Sequence, residues 1–164
     1  MSVPVVQQKM NANEVGRNLW VGGYPTDHVA VNKNFDALVL AAKEFQDFPE
    51  QKFPKLHVIH APLLDDKLTQ DEKATALRAA LKVHELNRAG KKVLVTCAAG
   101  VNRSSMIAAL AMVISGMPAR KAIANIRARR KPPSGKTPLY NPHFVKNIEA
   151  VEDHIEREVS SRTP

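Results

Sequence analysis

The sequence predicts an α/β fold with a central mixed, mostly parallel sheet flanked by helices, and three observations carry that expectation. "KKVLVT" (91–96) has the unbroken β-branched and leucine content of a strand buried on both faces. "RSSMIAALAMVIS" (103–115) is apolar nearly all round, which marks a helix enclosed by other elements. Strand-like and helix-like segments also mix along the chain, with no repeat or low-complexity block.

The elements follow in order. "NLWVGGYP" reads as a strand stopped by a Gly-Gly-Tyr-Pro turn, and "FDALVLAAKEF" suits either a buried strand or a short helix. "KLHVIHAPL" is a strand that Pro62 is expected to close. From Gln70 to Arg88 the spacing of Ala74, Leu77, Leu81 and His84 or Glu85 predicts a helix, with Gly90 as its stop. After the strand at 91–96 and the apolar helix, Gly116 ends that helix and Pro118 opens the next at its first turn. In "PARKAIANIRARRK" an inner face of Ala119, Ala122, Ile123 and Ile126 opposes an outer one of Arg120, Arg127 and Lys131. A Pro-Gly loop, "PPSGKTP", precedes a last amphipathic helix, "PHFVKNIEAVEDHIEREV".

Length and composition narrow the function. A chain of 164 residues suits one domain, 1–164, with a core that requires no disulfide or structural metal. A single cysteine makes no internal disulfide, which points to a reducing, cytoplasmic setting. The N-terminus shows no basic start and apolar signal core, and "MIAALAMVI" falls far short of the ~20 residues that span a bilayer. With 24 Lys and Arg against 16 Asp and Glu, the net charge of +8 draws anions such as phosphorylated substrates or nucleic acid. His28, His57, His60, His84, His143 and His154 show no metal-ligand spacing and are expected to be structural or surface residues. "RARRK" reads as a solvated helix end, with substrate steering by Arg127 or Arg130 as the functional alternative.

The chemistry concentrates in "VLVTCAAGVNRSS" (93–105), where a buried strand passes through a short loop into a helix that starts near Arg103. Unpaired amides and the positive end of the helix dipole then face the loop, which makes an anion site before any side chain is considered. Ala98, Ala99 and Gly100 are small enough to let the loop curl with its amides inward, and the planar fork of Arg103 holds two oxygens at once. A cysteine at the base of such a cradle experiences the same positive potential, which favours a nucleophilic thiolate.

"CAAGVNRS", Cys97 to Ser104, resembles the Cys-x5-Arg-Ser/Thr signature of the cysteine-dependent protein tyrosine phosphatases, and its setting is similar to the small dual-specificity branch. "NLWVGGYP", "HAPLLDD" and "RRKPPSGKTPLYNPHF" resemble that family's early strand, acid loop and late loop, in the right order. The resemblance implies a protein phosphatase that works through a phosphocysteine and requires no metal. Cys97 would be the nucleophile, and Arg103 with the amides of Ala98, Ala99, Gly100, Val101 and Asn102 would bind phosphate. Ser104 would stabilise the departing thiolate in the second step. The general acid would be Asp65, favoured over the alternative Asp66 by the family's Pro-x-x-Asp pattern counted from Pro62. Thr96 departs from the family's usual histidine: its hydroxyl is able to bond the loop but adds no charge, so a less strongly favoured thiolate is expected.

The phosphate loop carries no lysine, which disfavours inositides and suits a single phosphate on protein. "GVNR" is shared with RNA 5′-triphosphatases of the superfamily, and the net charge suits RNA, so that substrate class remains the alternative. Ala98, Ala99, Ser104 and Ser105 stand where those relatives differ. Low-molecular-weight phosphatases and arsenate reductases place the acid after the signature, whereas here it comes before. A rhodanese-like sulfurtransferase leaves the Arg-Ser unexplained. The reading from another class is a non-catalytic phosphate-recognition module, to which only Thr96 points.

Overall fold

The computed structural model describes residues 10–47 and 49–162. The N-terminal stretch read above for a signal core begins outside them. Five strands are seen, β1 (Ala12–Gly16), β2 (Leu19–Gly22), β3 (Ala37–Ala42), β4 (His57–Leu63) and β5 (Val93–Thr96), in the order β1-β2-β5-β3-β4. Only β1 runs antiparallel to its neighbour, so the sheet is mixed and mostly parallel, as expected. The helices are α1 (His28–Asn34), α2 (Pro49–Lys52), α3 (Gln70–Arg88), α4 (Arg103–Ile114), α5 (Ala119–Arg129) and α6 (Pro142–Arg162).

Alternation along the strands divides the core into two layers. Val93 and Val95 of β5 join Val39 of β3 and Ile107 and Leu110 of α4 on one face, whereas Leu94 joins Leu38, Trp20, Phe35 and Phe53 on the other. The ambiguous "FDALVLAAKEF" therefore resolves as strand β3, every residue of which is buried because β4 and β5 pair with it on either side. From Arg103 to Val113, α4 is buried throughout, because α3, α5, α6 and the sheet enclose it.

The helix expected from Gln70 to Arg88 is observed as α3, with alanines on its inner face. Ala76, Ala79, Ala80 and Val83 are buried, while Leu77 is half-buried and Leu81 exposed. α3 packs on α4, and a stripe of alanines lets two backbones approach where leucines would hold them apart. Pro62 lies inside β4 and does not end it; an edge strand tolerates the missing N–H. Pro118 is the N-cap of α5 and gives no side-chain cap bond, and Glu152 of α6 accepts the Ala119 N–H at 2.6 Å instead.

Candidate active site

Four parallel strands deliver their carboxyl ends to one edge of the sheet, where a doubly flanked α/β sheet opens its crevice. Cys97 follows directly on β5, is 3 % exposed and donates its N–H to the Gly22 carbonyl at 3.3 Å. Its Sγ lies 3.2 Å from Ser104 Oγ in the first turn of α4. Between them the chain curls through 98–102, and Gly100 takes φ +68°. A Cβ at Gly100 would collide with the Gly22 carbonyl and with the Arg130 guanidinium, so glycine is required there on two counts.

Asn102 is the N-cap of α4, yet its side chain makes no cap bond. Its Nδ2 reaches instead to both carboxylate oxygens of Asp65, at 3.2 and 3.0 Å. The start of the helix thus keeps its positive end toward the loop without a capping side chain.

Arg103, the first residue of α4, is 7 % exposed. Glu44, just past the end of β3, accepts Nη1 at 2.7 Å and Nη2 at 2.9 Å, and the Leu63 carbonyl accepts Nη1 at 3.0 Å. The Nε–H is buried and has no protein acceptor. Burial works against the charge of Arg103, but the Glu44 hydrogen bonds and the negative charges of Cys97, Glu44 and Asp65 outweigh it and hold its pKa above the ordinary value. The same hydrogen bond from Arg103 holds the Glu44 carboxyl below the usual range, against a smaller burial cost.

Asp65 and Asp66 lie on the exposed loop after β4. Asp65 also accepts Asn141 Nδ2 at 3.0 Å, whereas Asp66 takes part through its carbonyl, 3.3 Å from the same nitrogen. Both ends of this loop are tied to one carboxylate, since Glu72 accepts the Leu64 N–H at 2.9 Å and the Thr69 N–H at 3.1 Å. Burial raises the Glu72 pKa, and the backbone bonds from Leu64 and Thr69, with lesser help, bring it below normal.

The structure therefore brings Cys97, Arg103, Ser104, the loop 98–102 and Asp65 together, while Asp66 joins them through its backbone carbonyl. Thr96 departs from the expectation: its hydroxyl donates to the Val39 carbonyl at 2.8 Å, across the β3–β5 pair, and the loop receives nothing from it. The "RARRK" cluster also divides. Arg127 donates to the Pro138 and Leu139 carbonyls and braces the late loop. Arg130, read above as surface charge, is 1 % exposed. Glu44, Glu72 and Asn141 are contributors that sequence reasoning missed, and Arg130 was singled out only as a surface charge; the Thr-x-x-Glu spacing of Thr69 and Glu72 carried a local signal, that of a capping box.

Chemically, the arrangement can hold a tetrahedral oxyanion on amides and a guanidinium, present a thiol at its centre and place a carboxylate across from it. Among the described residues no group of His, Cys, Asp or Glu could hold a metal ion, and no helix is long and apolar enough to cross a membrane. The family model described as dual specificity phosphatase, catalytic domain, matches residues 19–154. Among solved structures, Tk-PTP in its active form superposes with a TM-score of 0.75 at 20 % identity, over 87 % of this chain and 97 % of that one. A mouse putative dual specificity phosphatase complexed with zinc tungstate gives 0.75 at 16 % identity, over 97 % and 95 %. Human DUSP28 gives 0.71 at 17 %, over 89 % and 95 %. A comparison with curated proteins returned no match.

Proposed function

The chain belongs to the dual specificity phosphatase catalytic-domain family and is a phosphoric monoester hydrolase; on that premise we propose that it is a protein phosphatase acting on phosphotyrosine, and on phosphoserine and phosphothreonine to the extent that the pocket admits them, through a phosphocysteine. The observation that carries this reading is the guanidinium of Arg103. Glu44 takes the end-on fork and leaves a buried Nε–H without a protein acceptor, a donor suited to a ligand oxygen.

The mechanism follows from the positions. The Cys97 thiolate attacks phosphorus while the phosphate oxygens rest on the amides of 98–102 and on Arg103. The bond to the leaving oxygen breaks as Asp65 protonates it, which yields phosphocysteine and the free alcohol. Asp65, now a carboxylate, takes a proton from water; the water oxygen attacks phosphorus and the S–P bond breaks. Ser104 Oγ, 3.2 Å from Sγ, stabilises the departing thiolate. The rings of Tyr24 and Phe45, with centroids 4.5 Å apart, support an aromatic ester: Tyr24 donates its N–H to the Ala98 carbonyl, and Phe45 follows Glu44.

The test compares wild type with Cys97→Ser on an aryl phosphate, phosphotyrosine and phosphothreonine peptides, and 5′-triphosphate RNA. Peptide turnover that Cys97→Ser abolishes is expected. Preference for the RNA would replace the substrate class, and phosphopeptide binding without turnover would make the chain a recognition module.

A further inference from the structure

Arg130 heads the largest side chains that are fully buried, and it lies beneath the phosphate loop. It is the C-cap of α5, where the backbone turns to an extended conformation at φ −82° and ψ 120° and leads the side chain out of helical register. All five of its N–H donors are used. Nε donates to the Gly100 carbonyl at 2.8 Å, and Nη2 to the Ala99 carbonyl at 3.2 Å and Asn11 Oδ1 at 2.8 Å. Nη1 donates to the Asn11 carbonyl at 3.2 Å and Asn13 Oδ1 at 3.0 Å.

Every one of those acceptors is neutral. Among the described residues no carboxylate pairs with Arg130, although a buried cation is costly without an opposite charge. Burial accordingly pushes its pKa down to about 10, against the pull of Cys97, and leaves it protonated at neutral pH. The other charged groups around Cys97 are already engaged: Glu44 with Arg103, and Asp65 with Asn102 and Asn141.

A planar trans peptide points its N–H opposite to its C=O. Carbonyls of Ala99 and Gly100 drawn toward Arg130 therefore turn the amides of Gly100 and Val101 the other way.

We propose that Arg130 is a positioning residue of the phosphate loop, which aims the Gly100 and Val101 amides into the cradle and sets beneath it a positive charge that only the thiolate and the bound phosphate neutralise. This rests on the phosphatase reading and deepens it. It also accounts for Thr96: the hydroxyl there serves β3, and the charge that a histidine would bring comes from below.

The test measures alkylation of Cys97 by iodoacetamide at mildly acidic pH, and the inorganic phosphate concentration that protects it, in wild type, Arg130→Met and Arg130→Lys, with unfolding temperature followed in parallel. Below their unfolding temperatures, Arg130→Met is expected to weaken protection about tenfold or more and to slow alkylation, with Arg130→Lys in between. Protection and alkylation equal to wild type in folded Arg130→Met, whatever its unfolding temperature, would reduce Arg130 to a structural cross-link and overturn the proposal. If Arg130→Met does not fold, Arg130→Lys decides: its ammonium cannot reproduce the fork that serves both carbonyls, so wild-type protection would overturn the proposal and weakened protection would uphold it. A wild type that phosphate does not protect would overturn the phosphatase reading and this proposal together.

Discussion

Asn102 donates from one nitrogen to both carboxylate oxygens of Asp65, at 3.2 and 3.0 Å, while its own Oδ1 accepts the Asn141 N–H at 3.2 Å. The residue that closes the phosphate loop thus also holds the acid loop and the start of α6. One side chain therefore fixes the position of Asp65 relative to the loop 98–102 and to the start of α6.

The two aspartates are distinguished by what their side chains reach. Asp65→Asn is expected to lower kcat on an ester with a poor leaving group by about 100-fold, the usual scale of a lost general acid, with KM nearly unchanged. Asp66→Asn should stay within about threefold of wild type, because Asp66 contributes its carbonyl, which the substitution keeps. Equal losses, or the reverse order, would remove Asp65 from the acid role.

Asn141 ties Asp65, the Asp66 carbonyl and the start of α6 together. Asn141→Ala should cost about tenfold in kcat where the leaving group requires a proton and little where it does not. Steady-state rates over a series of aryl phosphates of graded leaving-group acidity check this. A uniform loss across the series would place the effect on the cradle instead of the acid.

Glu44 makes the fork of Arg103 depend on pH. Its carboxyl is held below the usual carboxylate range in the folded chain, chiefly because Arg103 hydrogen-bonds it. A depressed carboxylate contributes stability that is fully present above its unfolded pKa and is lost as pH falls through the folded value. Glu44→Gln should therefore lower Tm near neutral pH and converge with wild type as the pH falls below the usual carboxylate range, as melting curves from neutral to acid pH would show. The effect should be modest, about 1 kcal/mol or less, because the Glu44 side chain is 47 % exposed. Activity should fall further than stability, since Arg103 loses its orienting partner.

Gly100→Ala combines two penalties. A left-handed backbone costs an L-residue about 1–2 kcal/mol, and the new methyl meets the Gly22 carbonyl and Arg130. The expected result is a lowered Tm with activity almost abolished, measured on the same preparation. Full activity at unchanged Tm would mean that the loop has another accessible shape.

Much of the site was legible in the chain because its parts are contiguous. Strand, Cys97, small-residue loop, Arg103 and apolar helix follow one another without interruption, so spacing alone implied an anion cradle at a helix start. Strand β5 and helix α4 were legible for a related reason: complete burial leaves a composition with no polar face. The helix α3 was legible, but which of its faces is buried was not, because alanine carries little hydrophobic weight in a pattern although its size is what close helix packing selects.

The remaining contributors are distant in sequence and ordinary in type. Glu44 lies 59 residues before Arg103, Asn141 lies 39 after Asn102, and Arg130 lies 30 after Gly100. A glutamate after a strand, an asparagine before a proline and an arginine in a basic run each have a commonplace solvated explanation. Local pattern was therefore sufficient for the fold class and for grouping Cys97, the loop 98–102, Arg103 and Ser104, which depend on neighbours within a few residues. The partners that orient Arg103, hold Asp65 and support the loop from beneath became visible only when the parallel strands brought their carboxyl ends together, because hydrogen bonding at 3 Å depends on where the folded chain passes and not on what stands nearby in sequence.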